Sequence, residues 1–219
     1  MRVPMIRMIG RRGANCYIIK AEKIHNMRNV VVSEFVTLDG VMEDPGGGEK
    51  TKNGGWAFKF RSKDQDKFKF DELFASDGLL LGRATYQGFA AAWPSMPPDP
   101  GGYSKRMNSL PKYVVSTSLE KLEWNNSRLI RTNVAGEVAK LKRQPGQDIL
   151  VFGSGELANT LLQLGLIDEL RLVVFPTVLG GGRRLFRDGI GSNLKLIESR
   201  AFESGVVLLR YQPVKKEGN

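Results

Sequence analysis

"ILVFGSGELANTLL" (residues 149–162) carries an apolar run into Gly153-Ser154-Gly155 and then into apolar residues at helical spacing. This is the pattern of a buried strand that turns directly into a helix. The first N–H groups of such a helix have no intrahelical partner, and its dipole favours an anion at that end. Glycine lets the backbone approach a pyrophosphate closely. Gly153, Ser154, Gly155, Glu156 and Leu157 are therefore candidate ligands for a dinucleotide, although a tight turn would need the same glycines for its backbone angles alone.

The spacing Gly153-x-Gly155-x-x-Ala158 also matches the dinucleotide fingerprint of a Rossmann domain. That fold places an acidic residue at the end of the next strand, about 20 positions on. Here Asp168 and Glu169 begin the next strand and Pro176 follows its end, so a Rossmann domain is disfavoured.

The rest of the chain alternates in the same manner. "NVVVSEFV" (29–36) reads as a buried strand, followed by a Gly-rich loop, "TLDGVMEDPGGGEKTKNGG". "SKDQDKFKFDELFAS" (62–76) reads as a helix with Ser62 as N-cap. A strand at 79–81, a helix from about Ala84 to Ala92, and the strands "KYVVSTS" (112–118) and "SRLIRT" come next. The helix "NVAGEVAKLKRQ" precedes the strand "DILVF" (148–152), and "DELRLVVF" (168–175) follows the GSG helix. Strand–helix–strand succession means parallel neighbours. "NLKLIESRAF" and "GVVLLRYQPV" flank a short turn at Glu203-Ser204-Gly205, which predicts a C-terminal antiparallel hairpin.

"LLLGRATYQGF" (79–89) repeats the strand-to-helix break. Ligands of open α/β sheets sit beyond the strand C-termini. Arg83 there could grip a phosphate in two-pronged fashion, with Thr85 beside it. "VVSTS" adds Ser116, Thr117 and Ser118 at another strand end. Hydroxyls beside an arginine suit the 2′-phosphate that distinguishes NADPH from NADH, though singly each is an ordinary cap or surface residue.

With 219 residues, 41% of them apolar, the chain can bury one substantial core. No apolar run approaches the roughly 18 residues that span a bilayer. Cys16 is the only cysteine, which excludes an intrachain disulfide and Cys-rich zinc sites and fits a reducing cytoplasm. Residues 1–29 hold seven Lys/Arg and one Glu, so six of the ten net positive charges fall there. The other 190 positions share 26 basic and 22 acidic side chains, too balanced for a nucleic-acid footprint. We read 1–27 as a basic extension, 28–213 as one domain and 214–219 as a tail.

His25 is the only histidine and lies in that extension, which disfavours Ser-His-Asp, Cys-His and histidine–metal chemistry. Hydride transfer needs none of these, because the cofactor supplies the reactivity and the protein manages one proton. Helical spacing puts Asp66, Phe70, Leu73 and Phe74 on one face, so Asp66 is the expected proton donor, its acidity weakened among aromatics. Asp64 and Asp66 equally suit the first turn of a helix.

Together, "SEFVTLDGVMED", "LLLGRATYQGF", "KYVVSTS", "LVFGSGELANTLL" and "FPTVLGGGRRLF", in that order, resemble the dihydrofolate reductase-like superfamily over residues 28–213. The nearest branch is the reductase domain of riboflavin biosynthesis. The resemblance implies a three-layer α/β/α fold with an eight-stranded, mainly parallel sheet and a C-terminal antiparallel hairpin. It implies NADPH as hydride donor and a homodimer. Gly82, Arg83 and Thr85, with Ser116 and Thr117, would hold the 2′-phosphate side; Gly153 to Leu157 the pyrophosphate; Leu38, Asp39 and Gly40 would border the nicotinamide. Asp66 falls where true dihydrofolate reductases keep their pterin-protonating carboxylate.

Against folate, Val173 stands where the resemblance expects the substrate-side Thr, and no arginine stands just before "KYVVSTS". "PTVLGGGRRLF" looks like the riboflavin branch, whose substrate is a phosphoribosylamino-pyrimidine; Gly180, Gly181, Gly182 and Arg183 would receive its phosphate, unless they only shape a Gly-rich loop. His-x-Glu and Cys-x-x-Cys are absent, so the zinc deaminase that accompanies this reductase in bifunctional enzymes is missing and a stand-alone reductase is expected. The loop at 45–55 is expected to be a mobile lid. Within enzymes dihydrofolate reduction is the alternative; outside them it is a non-catalytic NADP-binding or regulatory protein.

Overall fold

A computed structural model describes residues 27–214. The basic extension through Asn26 and the tail from Lys215 lie outside the described residues. Eight strands form one sheet: β1 (Val30–Thr37), β2 (Ser76–Gly82), β3 (Lys112–Val115), β4 (Ser127–Ile130), β5 (Asp148–Phe152), β6 (Glu169–Phe175), β7 (Leu194–Ala201) and β8 (Val207–Pro213). Their order is β4-β3-β2-β5-β1-β6-β8-β7. Strands β1 to β6 pair in parallel. Strand β8 lies antiparallel between β6 and β7, which is the expected hairpin.

The central strands are apolar on both faces because both faces are covered. On one side Val30, Val32 and Ile149 pack with Val138 and Leu141 of α4 (Val134–Arg143) and Leu157 and Leu161 of α5 (Gly155–Gln163). On the other, Val31, Leu79 and Leu81 pack with Leu73 of α1 (Lys63–Phe74), Tyr86 of α2 (Arg83–Ala92) and Met107 of α3 (Tyr103–Ser109). This gives three layers, α/β/α. Each fully buried leucine at these positions contributes about 1.5–3 kcal/mol. A third cluster joins Trp56, Phe175 and Phe202 beside the hairpin, with the Trp56 and Phe175 rings edge-on at 5.0 Å.

Helix α1 differs from its expected orientation. Its buried residues are Gln65, Glu72 and Leu73, whereas Phe74 is exposed and stacks on Phe70 at 4.2 Å. The reason is a polar inner face. Glu72 is clamped by Lys69, by Arg171 of β6 at 3.2 Å and by the Ser33 hydroxyl at 3.1 Å. Apolar spacing cannot locate a face buried through ion pairs. Ser62 holds the N-cap position with extended backbone but makes no capping bond; its hydroxyl meets that of Ser204 at 3.4 Å.

Candidate active site

Strand β5 ends at Phe152, opposite Ser33, while β1 continues alongside β6 to Thr37. Beyond Phe152 the chain turns away, and a crevice opens where the strand order reverses between β1, β5 and β2. Open α/β sheets bind ligands at such a switch point. A cavity of about 870 Å³ fills this crevice, a volume within the range of small-molecule sites. Its walls include Glu34 of β1, Lys69 and Asp66 of α1, the β2–α2 corner at Gly82–Thr85, and the β5–α5 turn at Gly153–Leu157.

That turn is built from two consecutive left-handed residues, Gly153 (φ 57°) and Ser154 (φ 60°). The left-handed form is costly for a serine, and three hydrogen bonds hold it. The Ser154 N–H donates to the Thr85 hydroxyl at 2.9 Å; the Ser154 hydroxyl accepts the Gly82 N–H at 3.0 Å and donates to the Phe152 carbonyl at 3.1 Å. With its hydroxyl so engaged, Ser154 does not cap α5, and Gly82 has no side chain with which to cap α2. Two helices therefore open onto one cavity without a side-chain cap. Their free N–H groups and dipoles fit the phosphates of a dinucleotide. The glycines answer local packing as well: a Cβ on Gly153 would stand 3.0 Å from the Thr85 hydroxyl, and one on Gly155 would collide with Met42.

Thr85 is thus a strut between the two turns rather than a free ligand. Arg83 is exposed at the cavity wall, its guanidinium donating to Gln87 at 3.3 Å. Ser116 and Thr117 stand at the end of β3, whose Val115 is paired with Gly82, but they do not line the cavity. Ser116 is buried and accepts the N–H groups of Ser118 and Leu119; Thr117 is exposed. Arg131, which follows β4, donates to the Thr117 carbonyl at 3.2 Å and likewise does not line the cavity.

The loops after β1 and β6 carry the residues expected to border the nicotinamide and to receive a phosphate. Leu38, Asp39 and Gly40 do not line the cavity. The Asp39 carboxylate instead accepts the Thr37 hydroxyl at 2.5 Å and the N–H groups of Gly180 at 2.9 Å and Leu179 at 3.3 Å. The Thr37 bond, aided by those amides, pulls its pKa down to about 2. An acidic side chain of the protein therefore holds the glycine run expected to receive a phosphate. Gly180, Gly181 and Gly182 also stay off the cavity wall; at Gly182 a Cβ would stand 2.9 Å from Val41. Arg183 alone of that set reaches the cavity, paired with Glu49 at 3.2 Å.

The loop at 45–55 wraps a buried anchor instead of hanging free. Asp44 is 2% exposed and accepts the N–H groups of Glu49 and Thr51, both at 2.9 Å, and the Thr51 hydroxyl at 3.1 Å. Burial pushes its pKa up, but these bonds prevail and leave it lowered. Pro45, Gly46 and Glu49 contribute to the cavity wall.

Two acids face the chemistry differently. Asp66 lines the cavity but is half-exposed and paired with Arg61 at 2.9 Å, so it is not packed among aromatics. Glu34, which sequence reasoning passed over, also lines the cavity and is 2% exposed. Burial raises its pKa well above the carboxylate range, against the opposing pull of Lys69 and of the Gly153 N–H.

The comparisons bear on the family and the fold. The family described as the RibD C-terminal domain matches residues 28–208. The Bacillus subtilis (strain 168) protein YyaP, itself uncharacterized, is 35% identical over 189 residues, spanning 84% of this chain and 94% of its own. Among solved structures, a Thermotoga maritima diaminohydroxyphosphoribosylaminopyrimidine deaminase/5-amino-6-(5-phosphoribosylamino)uracil reductase superposes with TM-score 0.60 at 12% identity, over 86% of this chain and 57% of that one. Dihydrofolate reductase from Enterococcus faecalis, complexed with NADP(H), superposes with TM-score 0.54 at 14% identity, over 85% of this chain and 97% of that one. Among the described residues no helix is long and apolar enough to cross a membrane.

Proposed function

The chain belongs to the RibD C-terminal domain family, and on that premise we propose that it is an NADPH-dependent reductase acting on a C=O or C=N carbon of a small molecule. The observation that carries this reading is the pair of uncapped helix starts, α2 and α5, converging on one cavity at the strand switch point. The N–H groups of Gly155, Glu156 and Leu157 are suited to the pyrophosphate, and Arg83 to the 2′-phosphate, with Arg131, Ser116 and Thr117 at the neighbouring strand ends. When bound, NADPH supplies the hydride. The chain's part is to fix the nucleotide, to keep water from the apolar wall made by Phe35, Met42 and Phe152, and to deliver a proton.

The substrate class we favour is a phosphoribosylamino-pyrimidine, for which Arg183 and Arg61 on the cavity wall offer phosphate partners. A pterin is less well supported: Val173 is fully buried in the cluster beside Phe175 and does not line the cavity. We place the second copy of a homodimer on edge strand β7, which exposes Leu196 and Ile197.

Titration with NADPH and, in parallel, NADH tests the reading through tryptophan quenching. NADPH should bind more tightly than NADH. Arg83→Ala should weaken NADPH by about 10-fold or more, as expected for loss of a charged hydrogen bond, and leave NADH nearly unchanged. Failure of both nucleotides to bind would refute the assignment.

A further inference from the structure

We propose that Glu34 is the proton donor of this site: as hydride reaches the carbon of a C=O or C=N group, the Glu34 O–H bond breaks and its proton goes to the oxygen or nitrogen. The inference rests on the reductase reading above. The electron pair of the C=X bond moves to X, the new C–H bond takes both hydride electrons, and Glu34 is left as a carboxylate that solvent reprotonates. NADPH is the species oxidised.

The position in the sheet makes this possible. Glu34 is the first residue of β1 beyond the end of β5, since Ser33 is the last to pair with that strand. On the β6 side it remains in register opposite Leu172. It is thus fixed by backbone on one edge and opens on the other toward the cavity it lines. The Gly153 N–H that reaches its carboxyl belongs to the same turn that begins the phosphate cradle.

Among the described residues Glu34 forms no ion pair. Lys69, the cation whose charge acts on it, is committed to Glu72 and to the Ser33 hydroxyl at 3.1 Å, and lies over the Phe152 ring at 4.2 Å. Arg171 is likewise engaged by Glu72 and Glu169. Glu72 faces Glu34 as a like charge. The Oε1 atom of Glu34 is buried with no hydrogen-bond partner, one of only two such side-chain atoms among the described residues. A buried, unpaired carboxylate is costly, and the group relieves the cost by holding its proton. Asp66, exposed and bound to Arg61, has no such incentive.

The test reads the carboxyl directly and then its use. In protein labelled with δ-13C glutamate, one carboxyl signal should titrate above the ordinary carboxylate range and vanish in Glu34→Gln, a variant of the same shape that removes no satisfied ion pair and should melt no lower than the parent. NADPH titration of both proteins should give the same affinity. With 5-amino-6-(5-phosphoribosylamino)uracil as probe, single-turnover NADPH oxidation should fall by about 10²–10⁴-fold in Glu34→Gln. Glu34→Asp, which retains an acid, should recover part of it, and the parent's rate should decline as pH rises through the Glu34 titration.

A Glu34 that titrates in the ordinary carboxylate range overturns the proposal, as does a Glu34→Gln variant with undiminished turnover or a loss confined to Asp66→Asn. If the parent binds NADPH but leaves the probe untouched, the pyrimidine reading fails and the carboxyl titration alone decides for or against Glu34. If the parent binds no NADPH, the reductase reading fails and takes the proposal with it.

Discussion

Replacing Thr85 by valine separates a strut from a ligand. The two side chains have nearly the same volume, so the substitution removes one hydroxyl and leaves the packing against Gly153 in place. The lost oxygen is the acceptor for the Ser154 N–H at 2.9 Å. Leaving a part-buried N–H unpaired costs about 1–3 kcal/mol. The hydroxyl also holds Ser154 at φ 60°, and without it the left-handed residue loses one of the bonds that offset its strain. For a domain of this size, about 2 kcal/mol corresponds to a melting point lower by roughly 4–8 °C. Thermal unfolding without nucleotide, followed by circular dichroism, should show that drop for Thr85→Val and little change for Thr85→Ser, which keeps the acceptor. NADPH affinity should fall in step, because the α5 turn loosens. A Thr85→Val protein that melts with the parent, while binding NADPH poorly, would refute the strut and make the hydroxyl a direct ligand.

Lys112 gives a pH-dependent prediction. It is fully buried, its ammonium donating to the Asn108 and Asn125 carbonyls, and burial pushes its pKa down to about 8. The unfolded chain keeps that proton up to about pH 10.4, so between the two values the unfolded state binds more protons and stability rises with pH. Relative to Lys112→Met, the urea midpoint of the parent should climb from pH 8 to pH 10, by about 2 kcal/mol in stability; a flat difference would contradict it. Asp44→Ala should free the 45–55 loop, lowering stability by about 1–3 kcal/mol and exposing that loop to limited proteolysis, which the parent resists. Because the Asp44 carboxyl is lowered on folding, its contribution should be present above the ordinary aspartate range and fade as pH falls through and below it. Equal cleavage of parent and variant would show that Asp44 does not order the loop.

The strands were legible because burial on both faces writes itself as apolar runs, as in Val30–Val32 of β1 and Ile149–Phe152 of β5. The two strand-to-helix turns were legible for a related reason: glycine after an apolar run has few other uses. The inner face of α1 was not legible. It is buried through Glu72, Lys69 and Arg171, and the partner of Glu72 lies 99 positions away on β6. Glu34 was hidden in a similar way. An acidic residue within a strand reads as a solvent-facing position, and only the early end of β5, with the continuation of β6, turns it toward a cavity.

The candidate hydroxyls and carboxylates share one physical ambiguity. A hydroxyl or carboxylate able to bind a ligand is equally able to bind an N–H of its own chain, and sequence cannot say which it does. Thr85 is taken by Ser154, Ser116 by Leu119, and Asp39 by Gly180. At the nucleotide end, the groups without a side-chain partner of this kind are the first-turn N–H groups of α2 and α5. On the proposed reading, recognition of a pyrophosphate would come mainly from backbone, which no side-chain replacement removes, and arginine at the strand ends would discriminate between nucleotides. Arg83→Ala should therefore reduce the preference for NADPH over NADH without abolishing binding, whereas Gly155→Ala, whose Cβ would collide with Met42 at the start of α5, should weaken both nucleotides alike. The reverse pattern, with both nucleotides lost in Arg83→Ala and neither in Gly155→Ala, would mean that side chains and not helix starts hold the cofactor.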